Sequence, residues 1–331
     1  MLNQGDERCE SRSCFDKALL SVAEGLSTNG FHTLQRIAFV LIHKTKNIVK
    51  NQAMTETLHY RLPWQSSSVY PGAHPGQMIG AGQLFKRHEP LIASPDPRRI
   101  DLRASVLDPF SSYRVRVYQQ QSSVNVYLIA DMSASMGYAD KQQTLLRFLL
   151  TAAHSAFDYG DKFGFIGCTE RIEQRWLLPA GQHLGRVSAL AKQLERLNFS
   201  GSANGLQNAL AFLPAERSLV FLLSDCHFPL PQLRAVLGSL QSHDVIPLVL
   251  WTQDEYAALP NWGLISFQDM ESHSTRTLFM RPALRQKIVA AYRQRQHDLK
   301  HIFRAFGSEP LFITEGYSTQ TVNRHLQQRV A

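Results

Sequence analysis

The sequence predicts a doubly wound α/β fold with a mostly parallel sheet, and three observations carry that expectation. Apolar runs of strand length recur after residue 124. Longer amphipathic segments, apolar at three- and four-residue spacing, separate them. The first run ends on an acid, Asp131, followed at once by Ser133 and Ser135. Strands and helices alternating on this scale build a parallel sheet covered on both faces.

The first strand is expected at Val124–Ala130. A helix follows near Lys141–Tyr159, where Leu145, Phe148, Leu149, Ala152 and Ala156 share one face. Two further strands, Phe163–Cys168 and Ile172–Leu177, are separated by too few residues for a crossover helix, so they are expected to pair as a hairpin. Helical stretches come next at Leu184–Leu197 and Gly205–Leu213. A fourth strand, Leu219–Leu223, leads to a helix near Pro231–Ser242, which its early prolines suit. The fifth strand is Val245–Trp251. A long helix over Pro282–Phe306 carries a stripe of Leu284, Ile288, Tyr292, Leu299, Ile302 and Phe306, and Gly307 is placed to stop it. A last strand, Leu311–Ile313, and a helix capped near Ser318 or Thr319 complete the pattern.

Upstream the character differs. Residues 54–121 are rich in Pro, Gly, Ser and Arg, and Tyr113, Val115 and Val117 alternate with Arg114, Arg116 and Tyr118. This reads as a small, irregular, β-containing subdomain ahead of the main domain at 122–331. Residues 1–53 form an extension, either helical or outside the folded unit. No internal repeat or low-complexity tract is seen.

Composition excludes several classes. With 331 residues, 44% hydrophobic and 19% charged, the chain has the make-up of a folded protein, large enough for one sizeable domain with appendages. The formal net charge of +8 is compatible with nucleic acid or an acidic partner but identifies neither. Cys9, Cys14, Cys168 and Cys226 are too few for a disulfide framework and lack zinc spacing, which points to a reducing compartment. The apolar run Ile37–Ile42 is too short to cross a bilayer and lies too deep for a signal peptide. A cytoplasmic protein with no membrane span is expected.

In a sheet of order 3-2-1-4-5-6 the first and fourth strands are neighbours, and ligands bind outside their carboxyl ends. The fourth strand runs into "FLLSDCHF", which puts Asp225 at the position matching Asp131. Two carboxylates and the hydroxyls of Ser133 and Ser135 would then face one crevice. Three readings compete. The first is a hard divalent cation, which takes carboxylate and hydroxyl oxygens. The second has both serines merely capping the next helix. The third is a serine hydrolase using Ser133 or Ser135, with His227 as a conceivable base, although no G-x-S-x-G elbow is present.

"DMSAS" at Asp131–Ser135 resembles the D-x-S-x-S metal-ion-dependent adhesion motif of von Willebrand factor A-like domains. That resemblance implies that Asp225 completes the site together with a residue on a second loop. There "ANGLQNAL" places Asn204 where the family has threonine, and Ser202 could substitute if the loop shifts. The implied cofactor is Mg²⁺, or Mn²⁺ or Ca²⁺ in its place. "PDPRRIDLRAS" (Pro95–Ser105), followed by "RVRVY" and then the motif, resembles the bacterial branch encoded beside MoxR-type AAA+ ATPases, including those of methanol-oxidation gene clusters. The similarity covers residues 54–331. It implies a non-enzymatic, metal-dependent interaction module that works with the ATPase in maturing a client enzyme or inserting its cofactor or metal.

Other residues have weaker claims. Arg98, Arg99 and Arg103 form either local ion pairs or a docking surface. Met132 and Met136 flank the motif and either touch a partner or pack in the core. The basic residues of the long helix could follow a phosphate backbone, as in a nucleic-acid binder. Its apolar stripe argues instead for one face on the sheet and solvated charges on the other, so no nucleic-acid partner is expected.

Overall fold

The computed structural model describes residues 56–68, 70–110, 112–252, 259–268, 275–314 and 316–329. The extension at 1–53, with Cys9 and Cys14, lies outside the described residues.

Six strands form the central sheet: β3 (Asn125–Asp131), β4 (Lys162–Cys168), β5 (Ile172–Gly181), β6 (Leu219–Ser224), β7 (Asp244–Leu250) and β10 (Leu311–Ile313). Their order is β10-β7-β6-β3-β4-β5. All pairings are parallel except β4–β5, which is antiparallel as the short connection requires. The order is the one expected from sequence, so β3 and β6 lie side by side and the switch point falls between them.

Alternation along β3 explains the layers. Val126, Leu128 and Ala130 face one side, where they pack with helices α2 (Lys141–Asp158), α3 (Leu184–Glu195) and α6 (Thr319–Gln328). Tyr127 and Ile129 face the other, against a 3₁₀ segment (Ala203–Phe212), α4 (Leu230–Ser239) and α5 (Pro282–Ala305). Leu128 and Ile129 are both fully buried on opposite faces. Truncating either to Ala would cost about 2–5 kcal/mol. In α5, Ile288, Tyr292, Leu299, Ile302 and Phe303 are buried, so the expected stripe packs on the domain. Gly307 follows with φ +73°, a left-handed stop that a side chain would strain.

Two features depart from expectation. The first is a β-hairpin, β8 (Gly263–Gln268) with β9 (Thr275–Met280), that adds a separate two-stranded sheet. The second concerns the upstream subdomain. It is a long antiparallel ribbon of β1 (Pro71–Pro90) and β2 (Arg114–Ser122), its ladder broken by register shifts, with a short helix α1 (Leu102–Val106) in the connection. Residues 56–66, however, do not belong to it alone. Leu58 and Tyr60 enter the main core. The Leu58 amide donates to Ser155 Oγ on α2 (2.7 Å), and the Asn323 amide on α6 donates to the Thr57 carbonyl (2.9 Å). The main domain therefore borrows a segment from before the ribbon.

Among the described residues, no helix is long and apolar enough to cross a membrane.

Candidate functional site

Strand β3 delivers Asp131 to the carboxyl edge of the sheet, and the turn after β6 delivers Asp225 beside it. Both are buried, at 0% and 1% exposure. Fixed donors hold each one. Asp131 Oδ1 accepts from the Ser133 amide (2.9 Å), and Oδ2 accepts from Ser224 Oγ (2.7 Å). Ser224 Oγ in turn accepts from the Cys226 amide (2.9 Å), so one hydroxyl ties the two acidic loops together. Asp225 Oδ1 accepts from the His227 amide (3.3 Å), and its carbonyl accepts from Trp251 Nε1 (2.8 Å). From α5, Arg295 donates to the carbonyls of Cys226 (2.7 Å) and Phe228. The helix whose charges suggested a solvated face thus clamps the loop that carries Asp225.

The hydroxyls complete the cluster. Ser133 Oγ lies 3.1 Å from Ser135 Oγ, and the Ser135 hydroxyl helps hold the Asp225 carboxyl down. Neither serine spends its hydroxyl on a helix cap: Ser133 precedes a short 3₁₀ turn (Ala134–Gly137) without a side-chain cap bond, and Asp140 holds the cap position of α2. The capping reading therefore fails.

Lys141 is the residue that sequence reasoning missed. It is the first residue of α2, and its Nζ donates to Asp225 Oδ2 at 3.0 Å, with both side chains 2% exposed. The acids respond to these surroundings. Burial, and then the charge of Asp225, push the Asp131 carboxyl up to about 6 against the bonds from Ser224 and Ser133. Burial also works to raise Asp225, but the imidazole of His227 and the ammonium of Lys141 hold it down at about 2. Two non-glycine residues with left-handed backbone flank the cluster: Ala139 (φ 53°), close to Lys141, and Cys226 (φ 53°), next to Asp225. Such strain gathers where side chains must be aimed.

The remaining expectations divide. The loop bearing Asn204 does reach the cluster, because the Ala134 amide donates to the Gly201 carbonyl (3.1 Å). Asn204 itself is exposed, and its Oδ1 accepts from Gln232 Nε2 at 3.4 Å. Met132 and Met136 are fully buried in the core, so neither forms a partner surface. Met132 lies across Gly167, where an added Cβ would sit 2.8 Å from its sulfur. Arg99 pairs with Asp96 (3.2 Å) and lies over the Tyr118 ring, whereas the Arg98 and Arg103 side chains are exposed. Beside them Ile92, Leu102, Val106, Leu107 and Phe110 are exposed at 70% or more, an apolar tip on the ribbon. Cys168 and Cys226 are buried free thiols, which burial first of all pushes upward, making them poor nucleophiles.

An all-oxygen set of two carboxylates and two hydroxyls suits a hard divalent cation. Among the described residues no group of three or more His, Cys, Asp or Glu side chains could hold one, so the hydroxyls are indispensable to such a site. The set fits the ion on one condition, which is that the Lys141 ammonium leave Asp225.

An α/β sandwich whose central strand ends in D-x-S-x-S at the switch point is von Willebrand A-like. The chain belongs to the DUF58 family, a family of proteins of unknown function, whose profile matches residues 96–298. It is 32% identical over 101 residues to an uncharacterized protein in the moxR 3′ region of Paracoccus denitrificans, an alignment covering 30% of this chain and 96% of that protein. Similar solved structures include an aerotolerance-related membrane protein from Bacteroides fragilis, at 15% identity and TM-score 0.40, covering 63% of this chain and 98% of the other. A von Willebrand factor type A protein from Catenulispora acidiphila also matches at 15% identity and TM-score 0.36, covering 81% of this chain and 51% of the other.

Proposed function

We propose that this protein is a non-enzymatic interaction module that works with a MoxR-type AAA+ ATPase in maturing a client enzyme or inserting its cofactor or metal. The observation that carries the proposal is the buried oxygen cluster of Asp131, Ser133, Ser135 and Asp225 at the switch point of the sheet. The relative in the moxR 3′ region supports the choice of partner. A divalent ion, Mg²⁺ first, would be held by these four residues, with Asn204 or Ser202 supplied from the neighbouring loop. When bound, it would offer a coordination position to an acidic side chain of the partner.

What the chain's own residues do follows from their contacts. Ser224, Trp251 and Arg295 aim the two acids. Ser133 and Ser135 keep the donor set low in charge, so a bound ion stays attractive to a carboxylate. The ribbon tip, with Arg98 and Arg103 exposed beside apolar side chains, gives an acidic partner a second edge to hold.

Pull-down of the MoxR-type ATPase tests this. Capture is expected to need Mg²⁺ and to weaken at least about tenfold, roughly 1.4 kcal/mol, with Asp131→Ala. Undiminished capture in EDTA would sink the metal-bridged mechanism and shift the contact to the arginine tip. Turnover of an ester or amide substrate that survives EDTA and is lost with Ser133→Ala would favour the hydrolase instead.

A further inference from the structure

We infer that Lys141 is the site's own cation: its ammonium fills the place at Asp225 that a divalent ion would take, so ion entry and lysine withdrawal are a single exchange. This rests on reading the cluster as a cation site and names how that site is regulated.

Three observations converge on it. Lysine is rarely buried this completely unless it is paired, and here the pair is Asp225, a carboxylate of the site itself. The neighbouring acid, Asp131, is buried as well, so without Lys141 two carboxylates would share a dry crevice with hydroxyl and amide partners and the imidazole of His227 nearby. The lysine is also placed by the fold: it opens α2 directly after Asp140, where the loop running on from the D-x-S-x-S motif ends, so its reach to Asp225 is short.

The charges favour the exchange. Counting the carboxylates and the ammonium alone, the charge is −1, which a divalent ion added beside the ammonium would turn to +1, and the nearby imidazole of His227, which also holds Asp225 down, adds to the repulsion. Like charges in contact inside a poorly screened site repel strongly, so ammonium and ion cannot share one carboxylate oxygen. A route out exists. Asp140, Lys141, Thr144, Trp251, Thr314 and Gly316 line a small cleft of about 10 Å³, about the room one water needs.

The exchange has a direct consequence for affinity. An ion that must displace a resident ammonium binds more weakly than the same oxygens would allow, because part of its binding free energy goes into breaking the ion pair. The crevice is therefore occupied at rest by its own ammonium. It becomes a coordination site only when a cation displaces Lys141.

Mn²⁺ titration of the full chain, followed by electron paramagnetic resonance, reads the exchange. Lys141→Met is expected to bind Mn²⁺ about tenfold or more tightly than the wild type. Equal binding, or weaker binding, in a folded Lys141→Met protein would overturn the inference while leaving the cation reading intact. If neither protein binds Mn²⁺, both fail. Should Lys141→Met not fold, the wild type supplies the second readout, reductive methylation of Lys141 followed by mass spectrometry. At 2% exposure the amine is protected, and saturating Mn²⁺ is expected to expose it to the reagent. Protection that persists with Mn²⁺ bound would overturn the exchange.

Discussion

Strand β3 starts beside one buried carboxylate and ends on another, and the two ends are built differently. At the start, Asp161 takes its donors from fixed structural groups. Tyr60 Oη donates to Oδ2 (2.5 Å), His74 Nε2 lies 2.8 Å from the same oxygen, and the Val124 amide donates to Oδ1 (2.9 Å). These partners come from the segment before the ribbon, from the ribbon itself and from the root of β3, so Asp161 fastens three pieces of chain together. Tyr60 stacks on His74, and its hydroxyl is pushed far up, first by burial and then by Asp161. At the other end, Asp131 accepts from the Ser133 amide and Ser224 Oγ and lies beside a second acid, Asp225, which pairs with Lys141. One end saturates a single acid with structural donors, whereas the other sets two acids side by side, with an ammonium on one of them. The difference separates a structural carboxylate from a candidate functional one, although both are equally hidden from water.

Removing the structural acid is expected to have the largest effect. Asp161→Ala leaves a buried tyrosine hydroxyl, imidazole and amide without their acceptor, and should cost about 3–5 kcal/mol in denaturant melts. Its cation response should stay that of the wild type. A loss below 1 kcal/mol would erase the distinction between the two ends.

The opposite sign is expected at the far end. The folded Asp131 carboxyl sits at about 6, above its ordinary value, so the folded state binds the proton more tightly than the unfolded chain does. Its contribution is most favourable below about pH 4 and is lost as pH rises through about 6. In cation-free buffer at pH 7, Asp131→Asn should therefore stabilise the fold, by up to about 3 kcal/mol, and flatten stability between pH 4 and 6. Destabilisation at pH 7 would show that the acid is held as firmly as Asp161.

The smallest effect sharpens the contrast. His243 precedes β7 at the same end of the sheet as Asp161, and its Nδ1 accepts from the Ser218 amide (3.3 Å). Burial, then Arg217, lowers its pKa from the ordinary 6.5, so charging it opposes folding and stability falls as pH drops below about 6.5. His243→Gln should remove that slope at a cost on the order of 1 kcal/mol or less. The two ends of the sheet would then respond to acid with opposite signs.

Much of this was legible in the sequence because it depends on local pattern. Alternation of apolar and polar residues marks strands, three- and four-residue spacing marks helices, and the short gap between β4 and β5 admits only a hairpin. Once the strand order was expected, Asp131 and Asp225 had to converge, since both follow neighbouring parallel strands. The β8–β9 hairpin was missed because its residues were not read as paired strands, and nothing in their own pattern names the partner. What tertiary structure alone decided concerns partners distant in sequence. No spacing rule links Lys141 to Asp225, Arg295 to the carbonyls of Cys226 and Phe228, or Tyr60 and His74 to Asp161. Met132 and Met136 went into the core, and Arg295 turned inward from a helix face that its composition marked as solvated. A periodic pattern fixes which face an element buries, because that depends on the free energy of local side chains against water. Which charge meets which carboxylate depends on how the layers pack, and only the folded chain brings those atoms to hydrogen-bonding distance.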